Sequence, residues 1–172
     1  MNITYALPDT SLWGGIEVFL AQASRLQKRG HKVRVITAGS KPDWFKIDFE
    51  LISVPKLTPR VIPQDSELII GTSYLTAVVA HDTGFNIPIH YCRGYEYLGA
   101  SDLQTKNHID FVYSLHTVKV VNNSFLKKIL EEKYHHPTYM IHNAIDLSLF
   151  HPGNRATFPK KRVLIAGPTE VD

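Results

Sequence analysis

Apolar residues fall in short runs, separated by stretches in which they recur at helical spacing. The first run, residues 3–7 (Ile-Thr-Tyr-Ala-Leu), reads as a buried strand that stops at Pro8. A loop from Asp9 to Trp13 leads to Gly14-Gly15, after which apolar positions are Ile16, Phe19, Leu20, Ala23 and Leu26. That spacing predicts a helix over 16–29 with one buried stripe. Glu17 stands in its first turn and Arg25, Lys28 and Arg29 in its last turns, as the helix dipole favours, and Gly30 ends it. Residues 33–37 are a second strand. Strand, helix and strand within about 35 residues make a βαβ unit, with parallel strands and a right-handed crossover.

The rhythm continues. Strands are predicted over 49–54, 68–71, 87–92, 118–121 and 138–141, and helices over 73–81 and 124–134. In the last helix Phe125, Leu126, Ile129 and Leu130 form the buried stripe, and Pro55, Pro59 and Pro63 mark 55–63 as surface loop. No element is predicted between 93 and 117. The alternation argues for an α/β fold with a doubly wound, mainly parallel, Rossmann-like sheet over residues 1–151. Residues 152–161 read as a linker. Residues 162–172 open with a fresh apolar strand, either the start of a second domain or a tail returning to the first.

Composition narrows the class. Hydrophobic content of 44% and charged content of 20% suit a soluble globular chain with a real core. The net charge of +3 is mild, and Lys160-Lys161-Arg162 is too short for a nucleic-acid arm, so no nucleic-acid partner is expected. The single cysteine, Cys92, excludes an internal disulfide and reads as a core residue of a protein in a reducing cytoplasm. The start of the chain lacks the charged opening and apolar core of a signal peptide, and no run is long enough to span a membrane. The nine histidines show no metal-ligand spacing, so no metal is expected, and no Gly-x-Ser-x-Gly elbow supports a serine hydrolase.

Two segments carry candidate chemistry. Gly14 and Gly15 stand where a strand ends and a helix begins, and the free N–H groups and dipole of such a helix attract an anion. Neither Gly-x-Gly-x-x-Gly nor Gly-Lys-Ser/Thr is present, and the alternative is a tight turn needing positive φ. The run from His90 to Glu96 lies at the carboxyl end of a predicted central strand, where open α/β sheets bind ligands. Its arginine, glutamate and tyrosines surround a glycine and suit hydroxyl or phosphate recognition. The alternative is a salt-bridged loop with its tyrosines packed on the core.

Three segments in order resemble the N-terminal half of family-4, GT-B-type glycosyltransferases. Gly14-Gly15-Ile16-Glu17, followed by Leu26 and Arg29-Gly30-His31-Lys32-Val33, is similar to that family's Gly-Gly-x-Glu helix and its Arg-Gly-His-x-Val end. Val120-Val121-Asn122-Asn123-Ser124-Phe125-Leu126 resembles its strand-to-serine-helix step. Ile141-His142-Asn143-Ala144-Ile145-Asp146, with Phe150 and Pro152, resembles Asn-Gly-Ile-Asp-x-x-x-Phe-x-Pro, with Ala144 in place of the glycine. Residues 162–167 are similar to the first strand of the donor-binding domain, and residues 91–96 to a bacterial cell-envelope branch.

The resemblance implies half of a GT-B fold in a retaining, metal-independent enzyme of polysaccharide biosynthesis. Such an enzyme moves a sugar from a nucleotide-sugar donor, which serves as co-substrate without a further cofactor, to a hydroxyl of a glycan or lipid-linked acceptor. It implies that Gly14 and Gly15 approach the donor diphosphate, and that Trp13, Arg93, Tyr95 and Glu96 lie on the acceptor side. Asn143 and Asp146 then shape the turn into the interdomain hinge. Arg93 and Gly94 occupy the region of the histidine that many members carry, so no catalytic residue is assigned. The family's C-terminal domain, with its basic pair and paired glutamates, is the expected missing partner, and this chain alone is expected to be inactive. The family also works in the cytoplasm at the inner membrane face, where Lys127, Lys128 and Lys133 would make weak headgroup contact; for these lysines the alternative, which a lysine-bearing surface helix favours, is a solvated helix face. The alternative is a non-enzymatic nucleotide-binding or interaction subunit whose partner chain supplies the donor domain.

Overall fold

A computed structural model of the chain describes residues 1–84 and 87–151. Its strands are β1 (Asn2–Leu7), β2 (Lys32–Thr37), β3 (Glu50–Ser53), β4 (Leu68–Gly71), β5 (Ile87–Cys92), β6 (Val118–Val121) and β7 (Thr138–Met140). The helices between them are α1 (Gly14–Lys28), α2 (Tyr74–His81), α3 (Leu103–Ser114) and α4 (Ser124–Lys133), with 3-10 turns at Pro59–Val61 and Glu96–Gly99. All pairings are parallel and the order is β3-β2-β1-β4-β5-β6-β7. The chain starts near the middle of the sheet, runs to one edge, and returns past β1 to fill the other side. The reversal between β1 and β4 is the topological switch point, whose carboxyl edge is the usual ligand site of such sheets.

Alternate residues divide between the two faces. Ile3, Tyr5, Leu7, Val33, Val35, Ile70 and Tyr91 pack with Ile16, Phe19, Leu20 and Ala23 of α1. On the other face Ile36 and Ile69 pack with Val79 and Ala80 of α2. Farther along that face, Cys92 and Val121 meet Ile109 and Tyr113 of α3 and Leu126 and Leu130 of α4. Helices on both faces of a parallel sheet make the fold doubly wound α/β and Rossmann-like. Gly71 sets the closest approach, since a Cβ there would lie 2.5 Å from the backbone of Ala77 in α2. Among the described residues no helix is long and apolar enough to cross a membrane.

The structure departs from the periodic reading at three places. Helix α3 has no counterpart in it: Ile109, Val112 and Tyr113 are buried, but Leu103 and Phe111 point to solvent, so no single apolar stripe stands out. Phe125 is exposed, because α4 packs through Leu126 and Leu130 and turns the preceding position outward. Gly14 and Gly15 are the first two residues of α1 instead of a turn before it. The predicted linker and the strand at 162–167 lie outside the described residues.

Candidate functional site

Helix α1 begins at the carboxyl edge of β1 without a side-chain cap. Trp13 occupies the N-cap position with an extended backbone and an exposed side chain; its carbonyl accepts the Glu17 N–H at 3.0 Å, but its side chain caps none of the N–H groups before that. The other helices are capped by Ser73, Asp102 and Asn123, which accept from Thr76, Thr105 and Leu126 N–H. Positive φ among the described glycines occurs at Gly30 and Gly84, so Gly14 and Gly15 are not the left-handed turn that was the alternative. The reason for glycine is spatial. A Cβ on Gly15 would meet Arg93 Nη1 at 3.0 Å, whereas one on Gly14 would meet nothing within 4 Å.

Arg93 thus reaches across from the end of β5 to the start of α1, 79 residues away in the chain. Its Nη1 donates to the Gly14 carbonyl at 3.1 Å, and the guanidinium lies 5.4 Å from the Phe19 ring centroid. Its Nε is buried with no hydrogen-bond partner, and burial lowers the pKa below the usual arginine value. The cation, both glycines and the uncapped N–H groups therefore form one donor-rich surface. Arginine stays charged in such a setting.

Glu96 turns the other way. Among the described residues Arg93 and Glu96 form no ion pair, which corrects the salt-bridged part of the loop alternative, whereas its tyrosines do pack on the core, Tyr91 within it and Tyr95 against it. Glu96 Oε2 accepts from the Tyr74 N–H of α2 at 2.9 Å and lies 3.3 Å from the Tyr113 hydroxyl, which also donates to the Gly94 carbonyl at 3.0 Å. Burial pushes the Glu96 pKa up to about 7, against the lowering effect of the Tyr74 and Tyr113 bonds. Near neutrality this carboxyl exists in both protonation states. Tyr95 stacks on Tyr97 with centroids 5.5 Å apart, and its hydroxyl lies 2.8 Å from that of Tyr134. Lys133 donates to the Tyr95 hydroxyl and to Asp110, each at 2.8 Å, and sits 4.4 Å from the Tyr97 centroid. Tyr95 is therefore engaged in fastening the loop to α4.

The segment after β7 is tied to α1. Asp146 pairs with Arg25 at 3.0 Å and accepts from the N–H and hydroxyl of Ser148, while its carbonyl accepts from Leu149 and Phe150 N–H. Those serine bonds first, and then the arginine charge, hold the Asp146 pKa below the usual carboxylate range. Asn143 is exposed and lies outside this turn. Of the three lysines expected to face headgroups, Lys127 pairs with Glu131 and Lys133 with Asp110, leaving Lys128 with no ion pair among the described residues.

His90, the first residue of the candidate run, and Lys119, which periodicity marks only as a strand position, are buried polar groups. They face each other in register on β5 and β6, and both are fully buried. Neither imidazole nitrogen nor Lys119 Nζ has a hydrogen-bond partner. Burial, then the neighbouring Lys119 charge, pushes the His90 pKa down to about 3, and burial lowers that of Lys119 to about 8. The Tyr113 ring, whose hydroxyl bonds Gly94 and Glu96, stands edge-on to His90 with centroids 4.8 Å apart. One sequence signal was available: a central strand of a parallel sheet is buried on both faces, so a lysine within Val-Lys-Val-Val must be buried too.

Among the described residues, cavities lie at both ends of the sheet. One of about 660 Å³, lined by His116, His135 and His136, lies at the amino edge, away from Arg93. There His136 Nε2 is 3.0 Å from the Ser114 carbonyl at the end of α3, a C-terminal capping position. Among the described residues no group of three or more His, Cys, Asp or Glu is placed to hold a metal ion. Another cavity, about 410 Å³, lies at the carboxyl edge between the loops that follow β1 and β2. No protein-family model matches the chain, and no curated protein does either.

Proposed function

We propose that this chain is the acceptor-side half of a retaining glycosyltransferase that moves a sugar from a nucleotide-sugar donor to a hydroxyl of a glycan or lipid-linked acceptor. One observation carries the reading: Gly15 is bare where Arg93 passes, so a guanidinium and an uncapped helix start share one site at the carboxyl edge of the sheet. In the reaction the bond from the anomeric carbon to the diphosphate oxygen breaks, a bond from that carbon to the acceptor oxygen forms, and the acceptor hydroxyl's proton passes to the departing diphosphate. Negative charge grows on the departing diphosphate. Preoriented N–H groups and a guanidinium in a partly desolvated site stabilise such charge without reorganising, which moves Arg93 from the acceptor side that the resemblance implied to the diphosphate beside Gly14 and Gly15. A second domain that holds the nucleotide completes the cleft, with the turn anchored by Asp146 at its margin.

The test is a transfer assay on the protein expressed from its complete reading frame, using uridine, guanosine and thymidine diphosphate sugars. One donor is expected to release nucleotide in the presence of acceptor, and Arg93→Met is expected to lower kcat/KM about 100-fold, as loss of an oxyanion donor does. Nucleotide binding with no turnover of any donor would favour the non-enzymatic subunit instead.

A further inference from the structure

We propose that the cavity between the β1–α1 and β2–β3 loops is a binding site for an uncharged, polyhydroxylated ring, a pyranose held through its hydroxyl groups. This goes further than the transfer reading and rests on it only in taking the bound ring to be the acceptor's sugar. The cavity holds about 410 Å³, within the range of small-ligand sites. Its floor is built before any ligand arrives. Thr10 is buried, its hydroxyl bonds the Ser40 carbonyl, and the Trp44 indole N–H donates to the Thr10 carbonyl at 3.1 Å. Gly39 is the contact between the two loops: a Cβ there would lie 2.5 Å from Thr10 Oγ1 and 2.7 Å from Thr10 N. Both loops are thereby locked to each other through backbone and hydroxyl contacts.

The walls decide the ligand class. Asp9, Asp43 and Lys41 line the cavity, and none of them is in an ion pair among the described residues. Asp9 Oδ1 takes the Ser11 N–H at 2.8 Å, leaving its other oxygen without a protein donor. Carboxylates accept from hydroxyl groups, and an ammonium donates to their oxygens. Trp44 has its N–H engaged, and its half-buried ring packs against the α1-side core and edge-on to Phe45, with centroids 5.9 Å apart. The part of the indole that lines the cavity is what can pack against the apolar face of a pyranose. Two carboxylates beside one ammonium repel phosphate and diphosphate, which distinguishes this cavity from the Arg93 site on the same edge.

The experiment follows the Trp44 indole N–H by NMR in the 172-residue chain, with Trp13→Phe assigning the two indole signals. The probes are methyl glycosides of glucose, galactose, mannose and N-acetylglucosamine, each taken to about 50 mM, together with uridine diphosphate and inorganic phosphate. A saturable shift with at least one glycoside is expected, with Kd of about 1–10 mM. Asp43→Asn and Asp9→Asn are each expected to weaken it about tenfold, and the phosphates to leave the signal in place. Absence of a saturable shift with all four glycosides, or a larger shift with uridine diphosphate, overturns the proposal. The two readings separate cleanly. Sugar binding here without transfer by the complete protein removes the transferase, and transfer without a Trp44 shift removes only this site.

Discussion

At the residue scale, two neighbouring glycines have different reasons to be glycine. Gly14→Ala adds a methyl group into open space, so helix propensity alone acts, and the variant is expected to gain about 0.5–1 kcal/mol in a denaturant titration. Gly15→Ala gains the same propensity but drives its methyl against Arg93 Nη1, the movable end of a long side chain. Its expected signature is stability near that of the wild type with weakened nucleotide-sugar turnover by the complete protein. Equal turnover in both variants would remove Arg93 from the site. Lys119 gives a second residue-scale prediction. Its folded pKa of about 8 is below the ordinary 10.5, so the unfolded chain binds the extra proton between those values and stability from this group rises across pH 8–10.5. Lys119→Met is expected to be more stable than the wild type at pH 7, with an advantage that shrinks as pH approaches 10.5 in parallel urea titrations. The candidate residues Gly14, Gly15 and Arg93 were visible in the sequence as types in suggestive places. Their contact was not, because nothing local to either segment records which way β5 delivers its last side chain.

At the element scale, the join between β4 and α2 is the tightest point of the sheet. Gly71→Ala would place a Cβ 2.5 Å from the Ala77 backbone, where no side-chain rotation gives relief. It is expected to cost about 1–3 kcal/mol by overpacking, read as a lowered denaturation midpoint. Ser73→Ala at the same junction removes the acceptor for Thr76 N–H and half of a capping box, with an expected loss of about 1 kcal/mol. The strands and helices α1, α2 and α4 were legible because each repeats its own burial pattern within a few residues. Helix α3 was not, since it carries exposed Leu103 and Phe111 beside buried Ile109 and Val112. Its role is to hold Tyr113 over His90 and beneath Gly94 and Glu96, and that role belongs to its neighbours as much as to itself.

At the scale of the whole molecule, buried ionisable groups pull the pH profile in opposite directions. His90 keeps its ordinary value of 6.5 when unfolded and falls to about 3 when folded, so its contribution to stability is lost as pH drops from 6.5 toward 3. Glu96 rises from 4.5 to about 7, so the folded state holds the extra proton and stability declines as pH climbs across that interval. Thermal melts are expected to show His90→Leu overtaking the wild type progressively below pH 6.5, and Glu96→Gln overtaking it progressively above pH 4.5. The sequence by itself determined the alternation of strands and helices, the parallel α/β class, the buried cysteine and the position of the glycine pair. These follow from periodicity and turn chemistry, which act over a few neighbouring residues. The tertiary structure alone decided that Arg93 lies on the Gly14 carbonyl, that Lys119 faces His90, and that Trp44 closes a cavity with Thr10. Each joins strands or loops whose adjacency is set by the sheet order, and packing across the whole core selects that order.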